Sequence, residues 1–240
     1  MGFLASLFGS QATRELLITD VTRMQGDRVC VAGIHKTQSV RLAEPQPTDQ
    51  LLNTIGGVAV GEVVRLRWER LSRYQPPHSE DCRWWFSSLE RLERLDSTRL
   101  YRQLAGSAFA TVKQAFGATK YHTQRGNPAF PSGRGKRSLA TLVARNIRVY
   151  RLGEKLRADF EDDDQQWVMF PVEGIALRSH FSDCRQCSRT HEARAELAVL
   201  RVGLGRPFQP DGEPPGCFAQ INSVIPADPT NLHFTEEKQP

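Results

Sequence analysis

"ELLITDVTRMQGDRVCVAGIH", residues 15–35, decides the fold. Two runs of β-branched and apolar residues, 15–22 and 28–35, flank the turn signal Gln25-Gly26-Asp27, which is how a β-hairpin is written in sequence. A third run, "SVRLA" (39–43), follows another polar turn, so the chain opens as a meander. After the proline-marked loop "EPQPT", residues 61–71 read "GEVVRLRWERL". There Val63, Arg65, Arg67 and Glu69 fall on one face and Val64, Leu66, Trp68 and Arg70 on the other, the period of a half-buried strand.

Beyond that strand the pattern changes. In "QPPHSEDCRWWFSSLERLERL" (75–95), Pro76 and Pro77 end the strand, and Ser79 with Glu80 and Asp81 resembles a helix cap and acidic first turn, so a helix is expected over Arg83–Leu95. A second is expected from Thr98 to about Phe116, closed by Gly117. The Gly-, Pro- and Arg-rich "YHTQRGNPAFPSGRGKRS" (121–138) reads as a long exposed loop. Strand signals return at "LATLVARNIRVYRL" (139–152) and continue to "CFAQINSVIP" (217–226), with the acids Asp159 and Glu161–Asp164 as a solvated hairpin tip. The organisation expected is an N-terminal extension (1–14), a β-rich block (15–75), a helical and basic insert (76–138), a second β-rich block (139–226) and a loose tail (227–240). Many short strands with Gly-rich turns favour small barrels over a parallel sheet: a mainly β fold with a helical insert.

At 240 residues, with 39% hydrophobic and 25% charged side chains, the chain has enough apolar material to fold throughout. No apolar run reaches bilayer length, and "MGFLASLFGS" lacks the basic and long apolar regions of an export signal, so a cytoplasmic location is expected. Phe3, Leu4, Leu7 and Phe8 would share one helical face, suited to docking on a partner or on the body of the protein.

The net charge of +5 conceals a segregation: residues 1–61 are neutral, 62–157 carry +12 and 158–240 carry −7. No carboxylate lies between Asp96 and Glu154, an interval with eleven Lys and Arg residues. A positive field of that kind attracts polyphosphates, and arginine suits bidentate phosphate contacts. The competing reading is that the acidic C-terminal third neutralises these bases across an interface. The candidate nucleic-acid-binding residues are Arg125, Arg134, Lys136, Arg137, Lys120, Arg145, Arg148, Arg65 and Arg67, with Tyr121 and Phe130 as loop aromatics on which bases could stack. "GRGKRS" lacks the first glycine of a P-loop and has Arg137 where Ser or Thr belongs, so it is read as binding phosphate without cleaving it.

Five cysteines without an export signal argue against a disulfide framework. "HFSDCRQCSRTH" (180–191) offers four zinc-type ligands, His180, Cys184, Cys187 and His191. All four within twelve residues would need a tight knot, and a buried-thiol strand is the favoured reading; no cofactor is expected, with zinc as the alternative. No nucleophile elbow or dinucleotide fingerprint appears. His78, Glu80 and Asp81 could form an acid/base cluster, but helix capping accounts for them more simply.

The segments "LITDVTRMQGDRVCVAGI", "PPHSED", "GKRSLATL" and "LRVGLGRPFQPDGEPPGCFAQINSV" resemble successive motifs of the dual OB-containing domain family of bacterial antiphage and conflict systems, over about residues 15–226. That resemblance implies two small OB-like Greek-key barrels, a role in holding or sensing nucleic acid as part of a defence complex with other subunits, and no established catalysis. It also implies a strand, without cysteines, where the Cys/His run stands. The expected function is a non-catalytic module that binds single-stranded DNA or RNA, or senses a nucleotide. The alternatives are an adaptor whose basic middle docks an acidic partner and a metal-assisted nuclease drawing on Asp20, Glu44 or Asp81.

Overall fold

The computed structural model of the protein describes residues 13–117, 121–122, 128–182, 191–212, 214–228, 230 and 233–236. Strands β1 (Arg14–Arg23), β2 (Val29–His35) and β3 (Gln38–Glu44) form the meander expected from the opening stretch. A short helix α1 (Asp49–Thr54), capped by Thr48, whose side chain accepts from the Leu51 amide, leads to β4 (Glu62–Arg70) and β5 (Asp81–Arg94). These strands close a barrel in the order β1-β2-β3-β5-β4, with β4 returning to β1 and β3 running parallel to β5. Leu16, Ile18, Val29, Val31, Val40, Leu42, Val64, Leu66, Trp68 and Trp84 fill it, at the period-2 positions the sequence marks. This is the strand order of an OB barrel, with the helix between third and fourth strands.

The middle of the chain holds α2 (Ser97–Ala105), α3 (Val112–Phe116) and the short strands β6 (Tyr121–His122) and β7 (Pro128–Pro131). A second barrel-like sheet follows. Strands β8 (Leu139–Leu152), β9 (Lys155–Glu161) and β10 (Gln166–Pro171) form a meander, α4 (Ile175–Ser182) follows, and β11 (His191–Leu204) returns to β8 with β12 (Gly216–Pro226) beside it. Just past β10, Val172 makes a parallel bridge to Ile221, and the Glu173 amide donates to the Ile221 carbonyl at 2.9 Å. The second unit thus repeats the first: a meander, a helix, a fourth strand on the first, and a fifth that meets the third in parallel. β7 and β6 extend this sheet beyond β12, and β13 (His233–Glu236) pairs with β11.

Four expectations are corrected. Residues 83–95 are not helical but form most of β5, so the first barrel extends past residue 75 into the segment read as an insert. The region from Thr98 to Phe116 is two helices, capped by Asp96 and Thr111 and separated at Gly106; Gly117 ends the second at φ +62°. The tail is not wholly loose, since β13 returns to the sheet. In the acidic hairpin tip, Asp162 is buried rather than solvated and accepts from the Val112 amide and the Trp167 indole, at 2.9 and 2.8 Å.

The two units share a buried seam. Leu17, Ile34, Leu95, Leu100 and Leu104 pack with Val199 and Ile225 of the second sheet. Beside them Asp20 and Arg201, both fully buried, form an ion pair at 2.8 Å. The other Asp20 oxygen accepts from Asn222 at 3.0 Å, Arg201 also donates to Thr141 at 2.7 Å, and Ser223 donates to the Thr19 carbonyl at 2.7 Å. Strict alternation would place Asp20 inside the barrel with Leu16 and Ile18. A bulge between Ile18 and Asp20 turns it outward, and the facing ladder also shifts register between Arg201 and Val202.

Candidate ligand site at the seam between the barrels

The loop leading into β5 and the first residue of that strand carry three polar side chains that are almost fully buried, His78, Glu80 and Asp81. Glu80 accepts from the Ser138 amide at 2.7 Å, the Ser138 hydroxyl at 3.0 Å and the Leu139 amide at 3.1 Å, which pins the "GKRS" segment to the first barrel. Asp81 receives Arg41 of β3 at 3.1 Å on one oxygen and Arg206 at 2.5 Å on the other. His78 faces Arg41 through Nδ1 at 2.9 Å. Residues far apart in the chain, in β3, at the start of β5, at the start of β8 and just past β11, therefore meet at this seam.

Two openings lie along the outer face of β2 and β3. One is a cleft of about 420 Å³, whose walls include Arg23, Arg28, Cys30, Arg41, His78, Gly203–Arg206, Gln220 and Asn222. The other is a depression of about 250 Å³ bounded by Ser39, Arg70, Ser79, Glu80, Lys136, Arg137 and Leu139–Thr141. Leu139 of β8 and Gly203 of β11 are paired neighbours, so the start of that ladder stands between the openings. The stretch of β2 beneath it is closed, with Ala32 fully buried.

The electrostatics of the seam are one-sided. Glu80 is the one described carboxylate lining either opening, and its oxygens are occupied by Ser138 and Leu139. Asp81 is shared by two arginines. Arg70 donates to the backbone carbonyls of Ser79 and Ser39, and the Arg137 guanidinium stacks 4.6 Å from the Phe109 ring centre. Burial, followed by the nearby charges of Arg41 and Arg206, lowers the His78 pKa to about 3, so its ring is neutral near neutral pH. Burial likewise pushes the Cys30 thiol up, against the pull of Arg41.

The sequence candidates divide. Lys136 and Arg137 line the depression, and neither they nor Arg134 has an ion pair with a described carboxylate. Arg65 is held by Glu15 and Glu90, Arg145 by Asp163, and Arg148 by Glu192, so part of the basic span is neutralised by the protein's own acids. Arg67 lies over the Trp85 ring at 4.0 Å. Phe130 is a correction: it sits on β7, 2% exposed and 5.2 Å from the Phe116 ring, in the core, where no base can stack on it. Lys120 and Arg125 lie outside the described residues, as does the side chain of Tyr121. So do Cys184 and Cys187 and the side chains of His180 and His191, although His180 belongs to α4 and His191 opens β11. The proposed nuclease acids serve other purposes: Asp20 binds Arg201, Glu44 pairs with Arg83, and Asp81 holds Arg41 and Arg206. Among the described residues no three His, Cys, Asp or Glu side chains are grouped to hold a metal ion.

Arg41 and Arg206 do not appear among the sequence candidates. Arg41 had a local signal, a lone charge between Val40 and Leu42 in an apolar strand; Arg206 had none, because its partner Asp81 is 125 residues away. No protein-family model and no curated protein matches this chain.

Proposed function

We propose that the protein is a non-catalytic nucleic-acid-binding module, with two OB-like barrels gripping the phosphate backbone along their shared seam. The observation that carries this reading is the lining of the two openings: seven cationic side chains and one carboxylate, whose acceptor positions are already filled. Phosphate contacts supply most sequence-independent affinity, and an excess of arginines and lysines over carboxylates on a recessed polar surface is what such contacts require; Arg23 pairs with Asp49 and Arg41 and Arg206 share Asp81, while Lys136 and Arg137 pair with no described carboxylate. OB barrels take single strands on a shallow face with basic surroundings. In the first barrel the middle of β2 is covered, which directs a strand to the open ends, where Arg70, Lys136 and Arg137 stand on one side and Arg23 and Arg28 on the other. The acids nearest these cations are engaged in bonds that hold the fold, in keeping with binding rather than hydrolysis. Membership of a multi-subunit defence assembly is the extension suggested by the family resemblance.

Fluorescence anisotropy with a labelled single-stranded oligonucleotide at several salt concentrations tests the proposal. Log affinity is expected to fall linearly with log salt. Each phosphate that a cation neutralises on a single strand contributes about 0.7 to that slope, so the Lys136→Ala/Arg137→Ala variant should be shallower by about 1.4. A salt-independent signal, or an unchanged slope in the variant, would overturn it.

A further inference from the structure

We infer that Arg41, His78 and Arg206 form a pocket for a phosphomonoester, the phosphate of a nucleotide or of a nucleic-acid end. The inference rests on the seam reading only for its polymeric ligand. Arg41 is 8% exposed and His78 fully buried, and both line the cleft. One Arg41 nitrogen, Nη1, serves Asp81 and His78, while Nε, also buried, has no hydrogen-bond partner. Because Nδ1 of His78 faces a guanidinium, which can only donate, Nδ1 is the acceptor and the ring proton sits on Nε2. Nε2 is likewise buried without a hydrogen bond of normal geometry, although the Gly205 carbonyl is near enough to favour a proton there.

Leaving a buried donor unpaired is costly, because its desolvation is not repaid. Two such donors on residues lining one cleft, Arg41 Nε with no partner and His78 Nε2 with only the poorly aligned Gly205 carbonyl, leave a place for an acceptor from outside the chain. Charge determines what kind. Two guanidinium groups share the single carboxylate of Asp81, the imidazole is neutral, and the nearby Glu80 has its oxygens taken by Ser138 and Leu139, so the remaining guanidinium donors meet no carboxylate. The missing acceptor is therefore an anion. Arg206, whose side chain is 48% exposed, stands where it can close on a ligand already seated against Arg41 and His78. A monoester presents three terminal oxygens to the donors of Arg41, His78 and Arg206, whereas an internal diester presents two and must leave in both directions. A cleft of about 420 Å³ also has room for the attached nucleoside.

The test uses the full chain in two sets of measurements. Calorimetry compares adenosine 5′-monophosphate with adenosine. Anisotropy compares one oligonucleotide carrying a phosphate at the 5′ end, at the 3′ end, or at neither. We expect the monophosphate to bind at least about tenfold tighter than adenosine, and one phosphorylated oligonucleotide to exceed its unphosphorylated twin by a similar factor. Arg206→Gln should remove most of both differences. His78→Asn, which keeps an acceptor for Arg41 but deletes the Nε2 donor, should weaken them too, with circular dichroism confirming the fold of each variant. Equal binding of phosphorylated and unphosphorylated ligands in both sets overturns the pocket, even if the Lys136/Arg137-dependent oligonucleotide binding persists. Arg206-dependent monophosphate binding with no oligonucleotide binding sustains the pocket and removes the polymer reading.

Discussion

At the scale of single residues, the seam is built from polar groups that depend on one another. His78 makes this measurable. Its folded pKa of about 3 lies well below the ordinary value of 6.5, so between those limits the unfolded chain binds a proton that the folded one rejects. Stability from this residue is therefore complete above about pH 6.5 and falls as the solution is acidified toward pH 3. Two pH units below the unfolded value, the loss should be roughly 2–3 kcal/mol. Urea denaturation at pH 7 and pH 4.5 checks this: His78→Asn should show a difference between the two pH values smaller by that amount. An equal acid sensitivity in both proteins would mean that His78 is already protonated in the folded state, and the Nε2 donor would no longer be distinctive.

At the scale of elements, the opening meander was legible because short β-branched and apolar runs flank a turn that Gly26 marks, at φ +74°. The second half of β5 was not. Its residues "SSLERLER" are mostly exposed or half-exposed on both faces, so no period-2 pattern is imposed, and Leu, Glu and Arg at helical spacing are what remains to be read. Pairing with β4, from Glu62–Arg94 to Arg70–Cys82, overrides that local preference. The candidate site was legible in the same uneven way. The 134–137 bases appear as a compact cluster of like charge, whereas Arg41, Asp81 and Arg206 are scattered through the sequence and become a site only when β3, the start of β5 and the segment just past β11 meet. Gly33, within β2, is a further residue whose role emerges only from the fold. A Cβ there would stand 2.2 Å from the Leu17 carbonyl oxygen and 2.9 Å from Leu16 Cγ, so β1 lies directly on the glycine. Gly33→Ala should destabilise the protein by about 3 kcal/mol or prevent folding, as read from its urea midpoint.

At the scale of the whole molecule, the two barrels have the same strand order but separate cores, and what couples them is a shared apolar cluster, the Asp20–Arg201–Asn222 network, and the bonds of Glu80 to Ser138 and Leu139 and of Asp81 to Arg206. Both openings of the candidate site have walls from the two barrels, so ligand binding and barrel docking depend on the same contacts. Tryptophans allow the coupling to be measured unit by unit. Trp68, Trp84 and Trp85 belong to the first barrel and Trp167 to the second. In a Trp167→Phe background, fluorescence reports on the first barrel alone while far-ultraviolet circular dichroism reports on both. With the seam intact the two signals should give coincident urea transitions, because neither barrel can unfold without exposing the other's share of the interface. Asp20→Ala leaves the Arg201 guanidinium, fully buried, without its carboxylate, at a cost of about 3–5 kcal/mol borne at the contact between the units. The transitions should then separate, and oligonucleotide affinity should fall although no cation lining the openings has been changed. Coincident transitions in the variant would show that the apolar cluster and the Glu80 and Asp81 contacts suffice to bind the barrels together, and unaltered affinity would mean that the ligand needs the walls of only one.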